Sequence, residues 1–150
     1  MGQLLVAAGV LIAALAVGAV LRWRRSVDAP TQPVYSAPAQ IDRADFDAGD
    51  APWLVAVFSS ASCTTCNDVV GKARVLSCEA VAVVDVEYSA SPALHRKYHI
   101  DAVPIVVVAD SKGVVRASFV GPMSATDLWA AVAEARDPGS SPEPNLGRTN

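Results

Sequence analysis

Four stretches of the chain have the apolar pattern of β-strands. Residues 52–58 (PWLVAVF) and 80–88 (AVAVVDVEY) are almost continuously apolar, which is typical of strands buried on both faces of a sheet. Residues 105–108 and 114–119 are two further strands, and the Asp-Ser-Lys-Gly sequence between them predicts a hairpin turn.

Three segments between and after these strands have the spacing of helices. The first follows Cys63, the second covers residues 91–98, and the third is capped by Ser124 and continues to about residue 136. The predicted order of elements is therefore β-α-β-α-β-β-α, an α/β arrangement. Residues 41–136 are enough for one compact core of this class.

The most apolar segment is residues 4–21, an 18-residue run without a charge or a proline. At a rise of about 1.5 Å per residue it would be about 27 Å long as a helix, close to the roughly 30 Å hydrocarbon core of a bilayer. We therefore predict a transmembrane anchor over residues 1–25, which includes a basic border at Arg22, Arg24 and Arg25. A cleaved signal peptide is the alternative, although it would carry cations before a shorter apolar core.

The basic border also predicts the orientation of the chain at the membrane. Loops rich in Lys and Arg stay on the cytoplasmic side, and nothing basic precedes the apolar run. We expect a single-pass protein of the cell membrane with its large part in the cytoplasm, the alternative being an extracytoplasmic domain. Residues 26–40 contain three prolines and predict a flexible linker, and residues 137–150 have the composition of a disordered tail.

The balance of charges excludes one class of partner. The chain has 12 Lys and Arg against 15 Asp and Glu, and three of the cations belong to the basic border. The nine that remain leave a net charge of −6 on the rest of the chain. A surface of that sign repels phosphate backbones and offers no basic stripe, so nucleic acid is not an expected partner.

Cys63-Thr64-Thr65-Cys66 is the motif with the clearest chemistry. A dithiol carrier needs one exposed thiol of lowered pKa and a second thiol close enough to resolve the mixed disulfide. A strand that gives way to a helix is expected to place Cys63 at the positive helix N-terminus, with Cys66 more buried one turn inside. Thr64 and Thr65 add hydroxyls that could hydrogen-bond sulfur, or they simply fill the start of the helix.

Two other interpretations of the cysteine pair account for it less well. A zinc site needs four ligands, and Cys78, His95 and His99 provide no second close pair. A structural disulfide across two residues closes almost no loop and would stabilise the chain little. The spacing is therefore best explained by redox chemistry.

The order of the motifs resembles the thioredoxin family over most of residues 41–136. The resemblance rests on WLVAVFSSASCTTC, on VPIVVV about 40 residues later, on the SKG hairpin, and on Val120-Gly121 before a closing helix. It implies a thioredoxin-like fold, in which helices flank a central mixed sheet. It also implies a thiol-disulfide oxidoreductase that needs no bound cofactor.

The resemblance assigns roles to individual residues. Cys63 would attack a substrate disulfide and Cys66 would resolve the mixed disulfide. Pro104 is expected to follow a cis peptide bond beside the pair, and Val103 to offer its N–H and C=O to an extended substrate segment. An ordinary trans proline at the start of an edge strand is the alternative. The implied partners are protein or small sulfur-compound disulfides as substrates and an upstream thiol as electron donor.

The sequence also departs from the family pattern. Ser62 stands where thioredoxins have Trp, and two threonines replace the Gly-Pro between the cysteines. Val57 replaces a buried Asp of the central strand, and Asp85 replaces a Lys of the neighbouring strand. A lone carboxylate in an apolar strand is costly, so Asp85 is a candidate proton shuttle for Cys66, unless it lies at a strand end in contact with water.

The remaining candidates have plainer interpretations. Cys78 is predicted to be a small buried residue, with a regulatory or resolving thiol as the alternative. His95 and His99 are predicted to lie at the surface, and Trp53 and Trp129 in the core. Two other functions stay open, namely a scaffold module without turnover and a metal carrier that uses the cysteine pair and a histidine.

Overall fold

The structure is a computed structural model, and it describes residues 35–140. The predicted transmembrane anchor with its basic border, residues 26–34 of the predicted linker and residues 141–150 of the predicted tail lie outside this range. Between residues 35 and 140 no helix has the length and apolar character needed to cross a membrane.

The described residues contain four strands and three α-helices in the predicted order. These elements are β1 (Trp53–Ser59), α1 (Cys66–Arg74), β2 (Val81–Glu87), α2 (Pro92–Lys97), β3 (Ile105–Ala109), β4 (Val115–Val120) and α3 (Ala125–Arg136). A short 3-10 helix, Arg43–Asp45, precedes β1. The predicted cap of α3 is confirmed, because the Ser124 hydroxyl accepts the N–H of Asp127 at 3.0 Å.

The four strands form one mixed sheet in the order β2-β1-β3-β4. β1 pairs parallel with β2 and antiparallel with β3, and β3 pairs antiparallel with β4. β1 and β3 are therefore the central strands. Their continuous apolar sequences are explained by their burial, since both faces of the sheet are covered.

Alternate residues of β1 belong to two different core layers. Phe58 packs in one layer with Phe46 and Tyr98, which lie next to the 3-10 helix and α2. Val55 and Val57 pack in the other layer, which α1 and α3 cover. Because successive side chains of a strand point to opposite faces, these two layers fix the position of β1 and of the loop that follows it.

Trp129 is not the core residue that the sequence predicts. α3 buries Leu128, and Trp129 lies about 100° further round the helix, where its side chain is 42% exposed. Its indole N–H donates to the carbonyl of Lys72 at 3.2 Å. Trp53 is half-buried and packs against the same layer as α1.

A polar cluster fastens the segment before β1 to α2. Tyr98 Oη donates to the Asp45 carboxylate and accepts the N–H of Asp42 at 2.9 Å. Lys97 Nζ lies 2.6 Å from Asp45 Oδ2. The hydrogen bonds from Lys97 and from Tyr98 lower the pKa of Asp45, whereas burial and the bond to Asp45 raise the pKa of Tyr98. The cluster therefore contributes to stability while Asp45 is ionised.

Asp45→Asn is expected to lower the free energy of unfolding by about 1 kcal/mol at neutral pH, since solvent screens part of the ion pair. The pKa of Asp45 is lowered in the folded protein, so the contribution of its charge is complete above the ordinary Asp pKa near 4. That contribution is lost as the pH falls through the lowered value. Urea unfolding between pH 7 and pH 3 should therefore show a difference in the free energy of unfolding between wild type and variant that becomes smaller as the pH falls.

The matched control for this prediction is Asp47→Asn. Asp47 is exposed and makes no hydrogen bond or ion pair with residues 35–140. The Asp47 variant is expected to unfold like the wild type over the whole pH range. If the free energies of unfolding of the wild type and of Asp45→Asn differed by the same amount at every pH, the role assigned to the charge of Asp45 would be contradicted.

Candidate active site

The pairing of the central strands brings the cysteine loop and Pro104 to one end of the sheet. Phe58, near the end of β1, is paired with Ile105, the first residue of β3. The loop of residues 60–65 follows β1, and Val103-Pro104 directly precedes β3. Because the two strands are antiparallel, these segments lie side by side, as the family resemblance predicts.

Cys63 and Cys66 form a disulfide with their Cα atoms 5.4 Å apart. Cys66 is the first residue of α1 and is 1% exposed, whereas Cys63 is only half-buried. The prediction that Cys66 is the more buried of the two is confirmed. The predicted place of Cys63 is wrong, because α1 begins at Cys66 with Thr65 as its N-cap, so Cys63 lies in the loop before the helix. There its N–H donates to the Ser60 carbonyl at 3.0 Å.

Two oxygen atoms lie near the sulfur of Cys63. Thr65 Oγ1 is 3.6 Å from Cys63 Sγ, and the Val103 carbonyl oxygen is 4.0 Å from it. A disulfide sulfur carries no hydrogen, so in the oxidised protein the Thr65 hydroxyl is the donor of the first contact. After reduction the Cys63 thiol could donate to the Val103 carbonyl. Thr64 is exposed in the same loop.

The backbone of Val103 is available for a further partner. The bond between Val103 and Pro104 is cis, as predicted. Among residues 35–140 the N–H of Val103 has no hydrogen-bond partner, and the only hydrogen-bonding contact of its carbonyl is with the Cys63 sulfur. The next carbonyl, that of Pro104, accepts the N–H of Gly121 at 2.8 Å. An extended peptide could pair with the free groups of Val103.

A pocket with a volume of about 210 Å³ adjoins Val103. Its wall includes Ser60, Tyr88, His95, Asp101 and Val103. Most of these residues are uncharged, with Asp101 as the exception. The wall of the pocket therefore consists mainly of uncharged residues, with Asp101 as its one acidic residue, and Ser60 connects it to the cysteine loop.

A larger hollow lies at the other end of β1. Its volume is about 480 Å³, and its wall includes Pro52, Trp53 and Arg136. Trp53 is the first residue of β1 and the cysteine loop follows the last one, so the length of the strand separates this hollow from the disulfide.

His95 is not the surface residue that the sequence predicts. It is 2% exposed, and its Nε2 lies 2.8 Å from the Val86 carbonyl. A carbonyl can only accept, so Nε2 of the ring carries a hydrogen. The ring also makes edge contacts with Phe58 and Tyr88. Burial is tolerated because the polar N–H is paired. His99 is exposed, as predicted.

Asp85 lies on the predicted strand but is not buried. It is paired with Val57 in the parallel register, and because β2 is the edge of the sheet, its side chain reaches solvent. Its Oδ1 accepts the Ser59 hydroxyl at 2.5 Å, and its Oδ2 lies 3.8 Å from Arg74 Nη2. Among the described contacts none joins Asp85 to a sulfur atom. The exposure of its side chain agrees with the alternative interpretation, in which the carboxylate contacts water.

Cys78 is also placed differently from the prediction. It lies in the turn between α1 and β2, where its N–H and C=O both pair with Val81 at 3.0 Å. The turn leaves the thiol exposed and without a disulfide. Between residues 35 and 140 no three or more His, Cys, Asp or Glu side chains are arranged to hold a metal ion.

Glu87 is a residue of the site that no sequence motif identifies. It is the last residue of β2 and accepts the N–H of Ala61 in the cysteine loop at 3.0 Å. That bond is the main cause that lowers the pKa of Glu87. The parallel pairing of β1 and β2 is the signal that could have identified it, because it places the ends of both strands together.

Comparison with known proteins supports the fold. The sequence matches no protein-family model and no curated protein. A mutant thioredoxin from Halobacterium salinarum NRC-1 is similar in structure, with a TM-score of 0.53 and 19% identity over 71% of this chain and 96% of that chain. A structure described as that of a malarial protein gives a TM-score of 0.50 and 17% identity over 55% of this chain and 96% of that chain.

At these identities the similarity shows the fold alone. The mixed four-stranded sheet with flanking helices is thioredoxin-like, as the sequence resemblance predicts. The Cys63–Cys66 disulfide lies at the end of its central strand.

Burial predicts different reactivities for the two cysteines after reduction. Cys63 is expected to react with iodoacetamide at least about tenfold faster than Cys66, because the Cys66 sulfur is shielded from solvent. Brief alkylation followed by mass spectrometry of peptides measures both rates, and the exposed Cys78 provides an internal reference. Equal rates at Cys63 and Cys66 would contradict the assignment of an outer and an inner sulfur.

Proposed function

We propose that the protein is a thiol-disulfide oxidoreductase in which Cys63 and Cys66 alternate between dithiol and disulfide. The observation that carries this proposal is the disulfide sulfur of the half-buried Cys63, which lies 4.0 Å from the carbonyl of Val103, whose backbone is free to bind. The thioredoxin-like fold supports the same activity.

The proposed reaction begins with the reduced protein. The Cys63 thiolate attacks a substrate disulfide, whose S–S bond breaks as a mixed disulfide with Cys63 forms. The first substrate thiolate leaves and takes up a proton. Cys66 then loses its proton and attacks the Cys63 sulfur, which re-forms the protein disulfide and releases the second substrate thiolate, also to be protonated. Two electrons have then passed from the protein to the substrate.

The surroundings of Cys63 fit a polypeptide substrate. The free N–H and C=O of Val103 would bond an extended segment that contains the substrate cysteine. The neighbouring pocket of about 210 Å³ has room for one side chain of that segment. Thr65 Oγ1, which is 3.6 Å from Cys63 Sγ, would donate to the attacking sulfur, and the exposed Thr64 would contact the substrate from the loop. No bound cofactor takes part in this scheme.

We also propose that residues 1–25 tether the domain to the cell membrane, with residues 26–40 as the linker and the redox domain in the cytoplasm. The apolar run and the arginines after it support this arrangement. In a reducing compartment an upstream thiol donor would supply two electrons per turnover, so that the domain would act as a reductant.

Insulin reduction by the full-length protein tests the proposed function. Cys63→Ser is expected to abolish turnover, because no attacking thiolate remains, and Cys66→Ser to accumulate mixed disulfides that non-reducing gels detect. Cys78→Ser is the control and should keep wild-type activity. A scaffold module without turnover would give no cysteine-dependent reduction, and equal, mild losses in both Cys63 and Cys66 variants would contradict their separate roles.

The role of Asp85 as proton shuttle for Cys66 stays a prediction, and the exposure of its side chain favours the alternative of a carboxylate in contact with water. We therefore expect Asp85→Asn to leave the pH profile of insulin reduction unchanged. A general base typically contributes about 100-fold or more, so a loss of that size with a shifted profile would restore the shuttle role. Asp50→Asn, at an exposed aspartate, provides the matched control.

A further inference from the structure

Glu87 joins two segments of the chain near the disulfide. It is paired with Ser59 in the parallel register of β1 and β2. Its Oε1 accepts the N–H of Ala61 at 3.0 Å, and its Oε2 accepts the N–H of Ala90 at 2.9 Å. Both carboxylate oxygens are used, so the side chain is held between the cysteine loop and the turn that leads into α2.

The cysteine loop has few other attachments. Within the loop, the Cys63 N–H donates to the Ser60 carbonyl at 3.0 Å, and the hydroxyls of Ser60 and Ser62 are 3.0 Å apart. Of the hydrogen bonds described for residues 60–65, two connect the loop to other elements. One is the bond from Ala61 to Glu87 on β2, and the other is the 4.0 Å contact of the Cys63 sulfur with the Val103 carbonyl, whereas the rest join the loop to itself or to α1.

The bond between Ala61 and Glu87 is a charge-assisted hydrogen bond, because a backbone N–H donates to a carboxylate. Hydrogen bonds to an ionised carboxylate are shorter and stronger than those between neutral groups. The N–H groups of Ala61, Ala90 and Ser89 hold the pKa of Glu87 below its ordinary value, so the carboxylate is ionised at neutral pH.

We propose that Glu87 is a positioning residue that keeps Cys63 beside Cys66 after their disulfide has opened. In the oxidised protein the disulfide itself restrains the loop. In the reduced protein that covalent link is gone, whereas the bond from Ala61 to Glu87 involves neither sulfur and persists. Glu87 thereby raises the effective concentration of one thiol at the other, which favours closure of the disulfide.

This inference rests on the proposed function, and it concerns the balance between the two redox forms. Two molecules of glutathione reduce the protein disulfide by two electrons and give the protein dithiol and one glutathione disulfide. A looser reduced loop has more conformations and shifts this equilibrium towards the dithiol. A residue that only stabilised the fold would affect both redox forms alike and leave the equilibrium unchanged.

The experiment compares Glu87→Ala and Glu87→Gln with Glu79→Ala and Glu79→Gln in the full-length protein, at equilibrium with glutathione buffers. Glu79 is an exposed glutamate without a hydrogen bond to residues 35–140, so its variants should match the wild type. Glu87→Ala is expected to lower the equilibrium constant for disulfide formation about tenfold, or about 30 mV for this two-electron couple. Glu87→Gln should lower it less, because the amide oxygen still accepts one N–H.

Each other outcome has a definite meaning. A Glu87→Ala constant equal to that of the wild type, in a protein that still reduces insulin, overturns the positioning role and leaves the proposed function intact. Equal shifts in Glu87→Ala and Glu87→Gln also overturn it, because loss of the charge alone would then explain them. If Glu87→Ala does not fold, the test is made by comparing the equilibrium constants for disulfide formation of Glu87→Gln and Glu79→Gln. A wild-type disulfide that exchanges with neither glutathione nor insulin removes both proposals.

Discussion

The site depends on the pairing of β1 with a parallel neighbour on one side and an antiparallel neighbour on the other. The parallel pairing places Glu87, at the end of β2, opposite Ser59 at the end of β1. The antiparallel pairing places the start of β3 beside Phe58, and so brings Val103 to the cysteine loop. Both registers are fixed because β1 is buried on both faces, and a slip of one residue would move every side chain into the wrong layer.

The elements of the fold could be predicted because their signals are local. Strands covered on both faces must be apolar throughout, and β1 and β3 show this directly in the sequence. The hydroxyl of Ser124 caps α3 through a bond three residues along the chain, so sequence spacing alone reveals it. The burial of Cys66 was predictable for a related reason. Cys66 lies in the first turn of a helix that packs on the sheet, on the side that faces the core.

Features that depend on partners distant in sequence could not be predicted. His95 is buried because the carbonyl of Val86, on another element, accepts its N–H, and no pattern around the histidine shows that carbonyl. Asp85 has apolar neighbours in sequence, yet β2 is an edge strand and the carboxylate reaches water. In each case the three-dimensional neighbour, rather than residue type, decides burial.

The surroundings of Cys66 determine which group can accept its proton. Cys66 is buried. Val57, on the central strand in the layer that packs against α1, has an aliphatic side chain that cannot accept a proton. Asp85, its partner across the strands, is exposed and bonded to Ser59. Without a shuttle at Asp85, the proton lost by Cys66 in the proposed reaction would go to water or to the departing substrate thiolate. Transfer to the departing thiolate would couple the resolving step to release of the substrate, because the group that leaves would then also take the proton of the inner thiol.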